Sequence, residues 1–343
     1  MRKSLLAGLY DSDMARRLRS VPALILGAVL LLALVPVWLP SALLADLLRG
    51  RRRLPTVRLL SFAVAWAWIE TTGVLITGIF WVVGRARHLP SHYWLQRWWA
   101  ARLIGALRAT CGVRIEVENA QALVPGPTLL FARHASLADS LVSAYAITTG
   151  AGVDPRYVLK KELLADPCLD IVGNRLPNHF LDRGANDSGP ELAALERLVS
   201  DLGPNGTGVI FPEGTRANPK KRASALEKIA TIDPARAERL SVLQHLLPPR
   251  PAGAAALLRG NASADVVFAW HVGFEGFDTF GGILRGVGSP LQPVRFVMNR
   301  VARSEVPPAD EANMKAFTEW LDRQWLALDV EVGRALDERS RHG

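Results

Sequence analysis

Two long apolar stretches dominate the start of this chain. Val21 to Ala45 carries no charge, and Leu59 to Gly84 carries only Glu70. Each is longer than the roughly 20 residues a helix needs to cross a bilayer core. The pattern therefore predicts a membrane-associating helical hairpin over residues 1–90. A secretory signal would be one shorter apolar run, and here a second stretch follows soon after the first. Arginines flank both arms: Arg16, Arg17 and Arg19 before the first, Arg49, Arg51, Arg52, Arg53 and Arg58 between them, and Arg85 and Arg87 after. Every connection is basic, so the positive-inside rule does not choose an orientation. Two topologies satisfy such flanks. One is a re-entrant, monotopic hairpin whose first arm bends at Pro36 and Pro40, and we favour it slightly. The other is a pair of ordinary spans. In either, Glu70 has to face protein, water or the interface.

From about Pro90 the pattern changes to short apolar runs alternating with helical periodicity. Thr128 to Ala132, Tyr157 to Leu159, His179 to Leu181, Gly208 to Phe211 and Asp265 to Ala269 read as buried strands. Leu141 to Thr149, Pro190 to Leu202 and Ala309 to Leu328 read as helices. Such alternation predicts an α/β domain over residues 91–343, with a mainly parallel central sheet flanked by helices. Ala217 to Ala237 is polar and rich in Lys and Ala, and reads as an exposed helix-loop insertion. Trp94, Trp98 and Trp99, with Arg97 and Arg102, form an aromatic-basic segment. It suits the headgroup level of a membrane and equally suits packing on the core.

Charge narrows the partners. Lys and Arg number 41 against 32 Asp and Glu, a formal net charge of +9. That balance favours polyanions, meaning nucleic acid or anionic membrane lipid. No zinc-finger spacing, RNP-like signature or long basic run is present, which argues against nucleic acid. Cys111 and Cys168 are the two cysteines, too few for a disulfide framework or a zinc cluster. They read as small buried apolar side chains.

Candidate chemistry lies in two short motifs. In His134-Ala135-Ser136-Leu137-Ala138-Asp139, the His and Asp are five positions apart. That is about 500° of helical rotation, so they cannot share one helix face. They can meet if His134 lies on the loop after the Thr128–Ala132 strand and Asp139 in the first turn of a helix capped by Ser136. The pair would then be a general base and the carboxylate that fixes its tautomer. A capping role for Asp139 alone also fits. Ser140 lacks a G-x-S-x-G elbow and is a poor nucleophile candidate. Phe211-Pro212-Glu213-Gly214-Thr215-Arg216 is a polar turn closing a strand-like run. Its Arg216 supplies a fork suited to phosphate, or to a structural ion pair, and Glu213-Gly214 also reads as a plain turn. His179, His245 and His271 are isolated in sequence and read as core or surface histidines. No metal site is expected.

With these motifs the chain resembles the glycerolipid acyltransferases typified by 1-acylglycerol-3-phosphate acyltransferase. The resembling blocks are His134-x4-Asp139, then Asn178-His179-Phe180-Leu181-Asp182-Arg183, then Phe211 to Arg216, and a fourth, Leu247-Pro248-Pro249-Arg250-Pro251-Ala252-Gly253. The fourth departs from the family's common pattern at Pro248-Pro249. His245 to Arg250, Val294 to Arg300 and Trp320 to Trp325 look like the branch that includes lysocardiolipin acyltransferase. The resemblance implies a membrane enzyme that moves a fatty acyl group from acyl-CoA or acyl-carrier protein to the free hydroxyl of lysophosphatidic acid. In a bacterium it would work at the cytoplasmic face of the inner membrane. It implies His134 as general base and Asp139 as its partner. Arg183 and Arg216 would hold the acceptor phosphate; Lys160 and Lys161 would add charge beside the second block, or else form an ordinary solvated helix start. Glu213, Gly214 and Thr215 would shape the acceptor site. The implied partners are a lysophospholipid acceptor, an acyl thioester donor and anionic membrane lipid, with no cofactor beyond the thioester co-substrate. Remodelling of another lysophospholipid, such as lysocardiolipin or lysophosphatidylinositol, is the rival reading, and a non-catalytic lipid-binding protein the remoter one.

Overall fold

The computed structural model describes residues 2–181, 189–277 and 279–341, with side chains from residue 13 onward. Four helices come first: α1 (Arg2–Ala33), α2 (Val35–Leu48), α3 (Pro55–Val82) and α4 (Leu89–Cys111). The chain then runs β1 (Ile115–Glu118), β2 (Thr128–Ala132), α5 (Asp139–Tyr145), β3 (Asp154–Lys160), α6 (Pro167–Arg175), β4 (His179–Leu181), α7 (Gly189–Val199) and β5 (Gly206–Ile210). It continues through α8 (Pro219–Ala230), α9 (Pro234–Leu240), α10 (Pro251–Gly260), β6 (Asp265–Val272), α11 (Phe280–Val287), β7 (Val294–Val301) and α12 (Met314–Arg341).

The strands form one sheet in the order β1-β7-β6-β2-β5-β3-β4. Pairing from β6 through β2, β5 and β3 to β4 is parallel. β7 lies antiparallel to β6, and β1 runs parallel to β7. The expected α/β architecture with a mainly parallel sheet is what the chain adopts. β2 and β5 are buried along their whole length. That explains why they read as unbroken apolar runs rather than alternating ones. Successive residues serve opposite layers. Leu129 and Phe131 of β2, with Phe268 and Trp270 of β6, pack towards α7, α10 and α12. Leu130 and Ala132, with Val267 and Ala269, pack with Val142 and Ile147 on the other face.

Local chemistry sets several helix starts. Asp166, Asn218 and Asp233 each stand just before a proline and accept a backbone N–H from the first turn, that of Leu169, Lys221 and Arg236 respectively. A side-chain acceptor at the cap and proline at the first helical position are both preferred there. The polar segment expected as a helix-loop insertion is thus two capped helices, α8 and α9.

The N-terminal part differs from a simple hairpin. Its first arm breaks at Leu34, and the α1 and α2 axes bend by 66°. Pro36 sits in the first turn of α2, where its missing N–H needs no partner but would break a continuous helix. Among the described residues, α3 is the one unbroken helix long and apolar enough to cross a bilayer. Its Ala67, Glu70, Thr71, Val74 and Thr77 are buried, a set at helical spacing that marks one protein-facing stripe. Glu70 accepts a 2.6 Å hydrogen bond from Trp99 Nε1 on α4, so it faces protein. Trp98 and Trp99 likewise pack inward, while Trp94 is exposed. Both cysteines are free and buried. Arg16 and Arg17 of α1 both reach the buried carboxylate of Asp170 on α6, at 2.7 and 3.1 Å.

Candidate active site

The parallel strands deliver the motif residues to one end of the sheet. β2 ends at Ala132, and His134 follows two residues later. β5 ends at Ile210, and Phe211 opens the polar turn. Lys160 is the last residue of β3, and His271 lies at the end of β6. In open parallel sheets the crevice outside the carboxyl ends of the strands is the usual ligand site. Here that crevice is a cleft of about 490 Å³.

His134 and Asp139 meet as loop and first turn. His134 Nδ1 lies 2.6 Å from Asp139 Oδ2. The same oxygen accepts the backbone N–H of Ala135 at 2.6 Å, and Oδ1 accepts that of Ser136 at 2.9 Å. Ser136 Oγ also donates to Oδ1. The helix cap is Ala138 rather than Ser136; the Ser136 hydroxyl accepts only from Ala138 N–H, at 3.2 Å. Asp139 therefore ties down the loop and orients the imidazole at once, so the capping and catalytic readings do not compete. With Asp139 held ionised by its neighbours, the proton between the pair sits on His134 Nδ1, which leaves Nε2 to act as base. Burial pushes the Asp139 carboxyl up, but His271 and His134 outweigh it and hold it well below the ordinary carboxylate range.

His271 was expected to be isolated. Instead, its Nε2 lies 2.8 Å from Asp139 Oδ1, and its ring is buried. The two are 132 positions apart, a distance no local pattern reports. His179 is also partnered, its Nε2 standing 2.5 Å from Glu191 Oε2 at the cleft wall.

Glu213 is fully buried. Its Oε1 accepts His134 N–H at 2.7 Å, and its Oε2 accepts Leu247 N–H at 2.9 Å. It joins the His134 loop to the fourth block from behind the cleft wall. Burial raises its pKa to about 8 against the opposing pull of those two amides. Gly214 does line the cleft, with φ +70, and a Cβ there would stand 3.1 Å from Arg250 Cζ. The left-handed φ favours glycine there, while the flexible Arg250 side chain could give way to a Cβ. Thr215 accepts a hydrogen bond from Lys221 Nζ at 2.9 Å. Arg216, Lys160 and Arg250 all line the cleft. Arg216 Nη1 is buried and has no hydrogen-bond partner among the described residues. Arg183 lies outside the described residues. Val158, Leu181, Leu192, Leu195 and Ile210 give the cleft an apolar share of its wall, alongside the polar Ser136, Ser140 and Glu191.

The fourth block is held from the C-terminal helix. Asp329 accepts the N–H groups of Gln244, His245 and Leu246 at 2.8–2.9 Å, and Trp325 Nε1 donates to Leu247 O at 2.9 Å. Among the described residues no cluster of three or more His, Cys, Asp or Glu side chains is disposed to hold a metal ion.

Residues 114–250, which contain every motif residue named above from His134 to Arg250, match the family model described as Acyltransferase. No curated protein matches the chain by sequence. Among solved structures, the crystal structure of the 1-acyl-sn-glycerophosphate (LPA) acyltransferase PlsC from Thermotoga maritima is 16% identical. The alignment covers 80% of this chain and 96% of that one, at a TM-score of 0.49.

Proposed function

We propose that the acyltransferase domain at residues 114–250 esterifies the free hydroxyl of lysophosphatidic acid, taking a fatty acyl group from acyl-CoA or acyl-carrier protein. One observation carries the reading: a His134–Asp139 pair at 2.6 Å opens on a cleft lined by the cations Lys160, Arg216 and Arg250 together with apolar Val158, Leu181, Leu192, Leu195 and Ile210. That is the polarity of a lysophospholipid. His134 Nε2 takes the proton of the acceptor hydroxyl, and its oxygen attacks the thioester carbonyl. A C–O bond forms, the C–S bond breaks, and His134 returns the proton to the departing thiolate. Asp139 stabilises the imidazolium between those two transfers. Arg216 and Lys160 hold the acceptor phosphate, and Arg183 belongs to the same group by its block.

We place the domain on a membrane, with residues 1–90 as the associating part and anionic lipid rather than nucleic acid as its surface. Apolar side chains exposed along α1 to α3, among them Leu26, Leu30, Val37, Leu44, Ile79 and Trp81, support that placement. The 66° bend between α1 and α2 favours an arm that enters one leaflet and returns.

Arg250 gives a second reading its footing. It adds a cation to the cleft in the block that looks like the lysocardiolipin branch, so a more highly charged lysolipid is the alternative acceptor. An acceptor screen with the full chain in lipid and one acyl-CoA separates the two. Lysophosphatidic acid should be the fastest acceptor; preference for lysocardiolipin would select the alternative. His134→Ala should lower turnover by about 10²–10⁴-fold while the protein stays folded and vesicle-bound, and retained turnover would refute the mechanism.

A further inference from the structure

We propose that His271 is a positioning residue for the reaction, holding Oδ1 of Asp139 so that Oδ2 remains aimed at His134. The proposal rests on His134 being the general base. Asp139 stands between two imidazoles, with His134 Nδ1 at 2.6 Å from one oxygen and His271 Nε2 at 2.8 Å from the other. The two rings reach it from different strands, His134 from the loop after β2 and His271 from β6. His271 thus adds an anchor from the sheet to the bonds that Ala135, Ser136 and His134 of the loop make to the same carboxylate.

The surroundings define which form of His271 does this. Its ring is stacked on Phe296 at an interplanar angle of 10° and meets Phe274 edge-on, with centroids 6.0 Å apart. Its Nδ1 is buried without a hydrogen-bond partner. A protonated ring there would bury an unpaired N–H, which is costly, whereas a bare lone pair is the cheaper orphan. His271 is therefore the neutral tautomer carrying its proton on Nε2, a donor to Asp139. Arg133 braces the strand beside it, its Nη1 donating to His271 O at 2.6 Å and lying 3.7 Å from Glu275. Glu213 behind the His134 loop and Arg339 against Gly273 are the other ionisable groups around the pair.

This arrangement has a readable consequence. A hydrogen bond donated to Oδ1 draws charge from the carboxylate and weakens its hold on the imidazolium of His134. Removing that donor makes Asp139 a stronger partner, and His134 then binds its proton more tightly. The same change would follow if His271 were charged, so the sign does not depend on its protonation state. A tighter proton makes His134 a base that is occupied up to a higher pH, and a looser carboxylate makes it a worse-aimed one.

The test uses the full chain in detergent micelles with 15N-labelled histidine. The His134 resonance is identified by its loss in His134→Ala. Three variants are titrated: His271→Phe and His271→Asn, which withdraw the donor, and His271→Gln, whose amide N–H keeps nearly the same reach. In the first two, the His134 midpoint should rise by about half a pH unit or more. The acidic limb of kcat/KM for lysophosphatidic acid should move the same way. In those variants kcat should fall by about tenfold or more, while KM stays within about twofold, as expected for an interaction that matters in the transition state. His271→Gln should recover most of both. An unchanged midpoint in Phe and Asn, or a Gln variant no better than they are, overturns the proposal, since a merely structural histidine would lower yield without moving the titration. If His134 is not the base, His134→Ala retains turnover, and the resonance shift still decides the role of His271.

Discussion

Glu213 shows how one side chain can link chemistry to stability. Its two oxygens hold the amides of His134 and Leu247 from a fully buried position, and burial lifts its pKa to about 8. In the unfolded chain it titrates in the ordinary glutamate range. The folded state thus binds the proton more tightly, and that contribution is complete below the unfolded value. It is lost as pH rises towards 8, at no more than about 1.4 kcal/mol per pH unit. Glu213→Gln removes this titration. Thermal melts from pH 5 to 8.5 should show a shallower decline in the variant than in the wild type, and parallel declines would discard the linkage. At this scale the sequence was informative about residues and silent about bonds. The five-position spacing of His134 and Asp139 excluded a shared helix face and so pointed to the loop-and-turn geometry that is found. Glu213 was legible as part of a turn, but its partners lie on loops it meets only after folding. His271 was illegible, since its ring meets Asp139, which lies in the first turn of α5, 132 positions away.

Elements carry the next part of the argument. The unbroken apolar runs of β2 and β5 announced central strands, because a strand covered on both faces needs no polar alternation. β1 and β7 at the opposite edge, and the small-residue helix α10, gave weaker patterns, since their burial is decided by neighbours rather than by period. The C-terminal helix was expected from Ala309 to Leu328, yet it runs from Met314 to Arg341. Its task is visible only in three dimensions: Asp329 and Trp325 clamp the loop that carries Leu247 and Arg250. Trp325 is fully buried, and its Nε1–H bonds Leu247 O. Trp325→Phe keeps most of the packing but orphans that carbonyl. The variant should lose about 1–3 kcal/mol in chemical denaturation. A loss within error would mean that the Trp325 bond adds nothing to the hold Asp329 has on the loop.

On the scale of the whole molecule, the N-terminal helices are bound to the α/β region by ionic and apolar contacts together. Asp170, buried on α6, receives both Arg16 and Arg17 from α1, and charge-assisted bonds of this kind contribute about 1.5–3 kcal/mol. Asp170→Ala should loosen α1, so trypsin should cut after Arg16 and Arg17 faster than in the wild type. Equal cleavage rates would show that apolar packing alone holds α1. The apolar contacts converge on a seam between α3, α4 and α6, where Val74 meets Leu95, Cys168, Val172 and Leu176. The approach is so close that a Cβ on Gly73 would stand 2.6 Å from Cys168 Sγ.

That seam bears on any effort to obtain a water-soluble version of the protein. The first three helices cannot be trimmed away as if they were a tether, because one side of α3 is also a wall of the α/β region. Deleting them would bare Leu95, Val172 and Leu176 to solvent and strip Asp170 of both its arginines. A shortened enzyme would need polar replacements at those three apolar positions, and a neutral one at Asp170, before it could be expected to remain in solution.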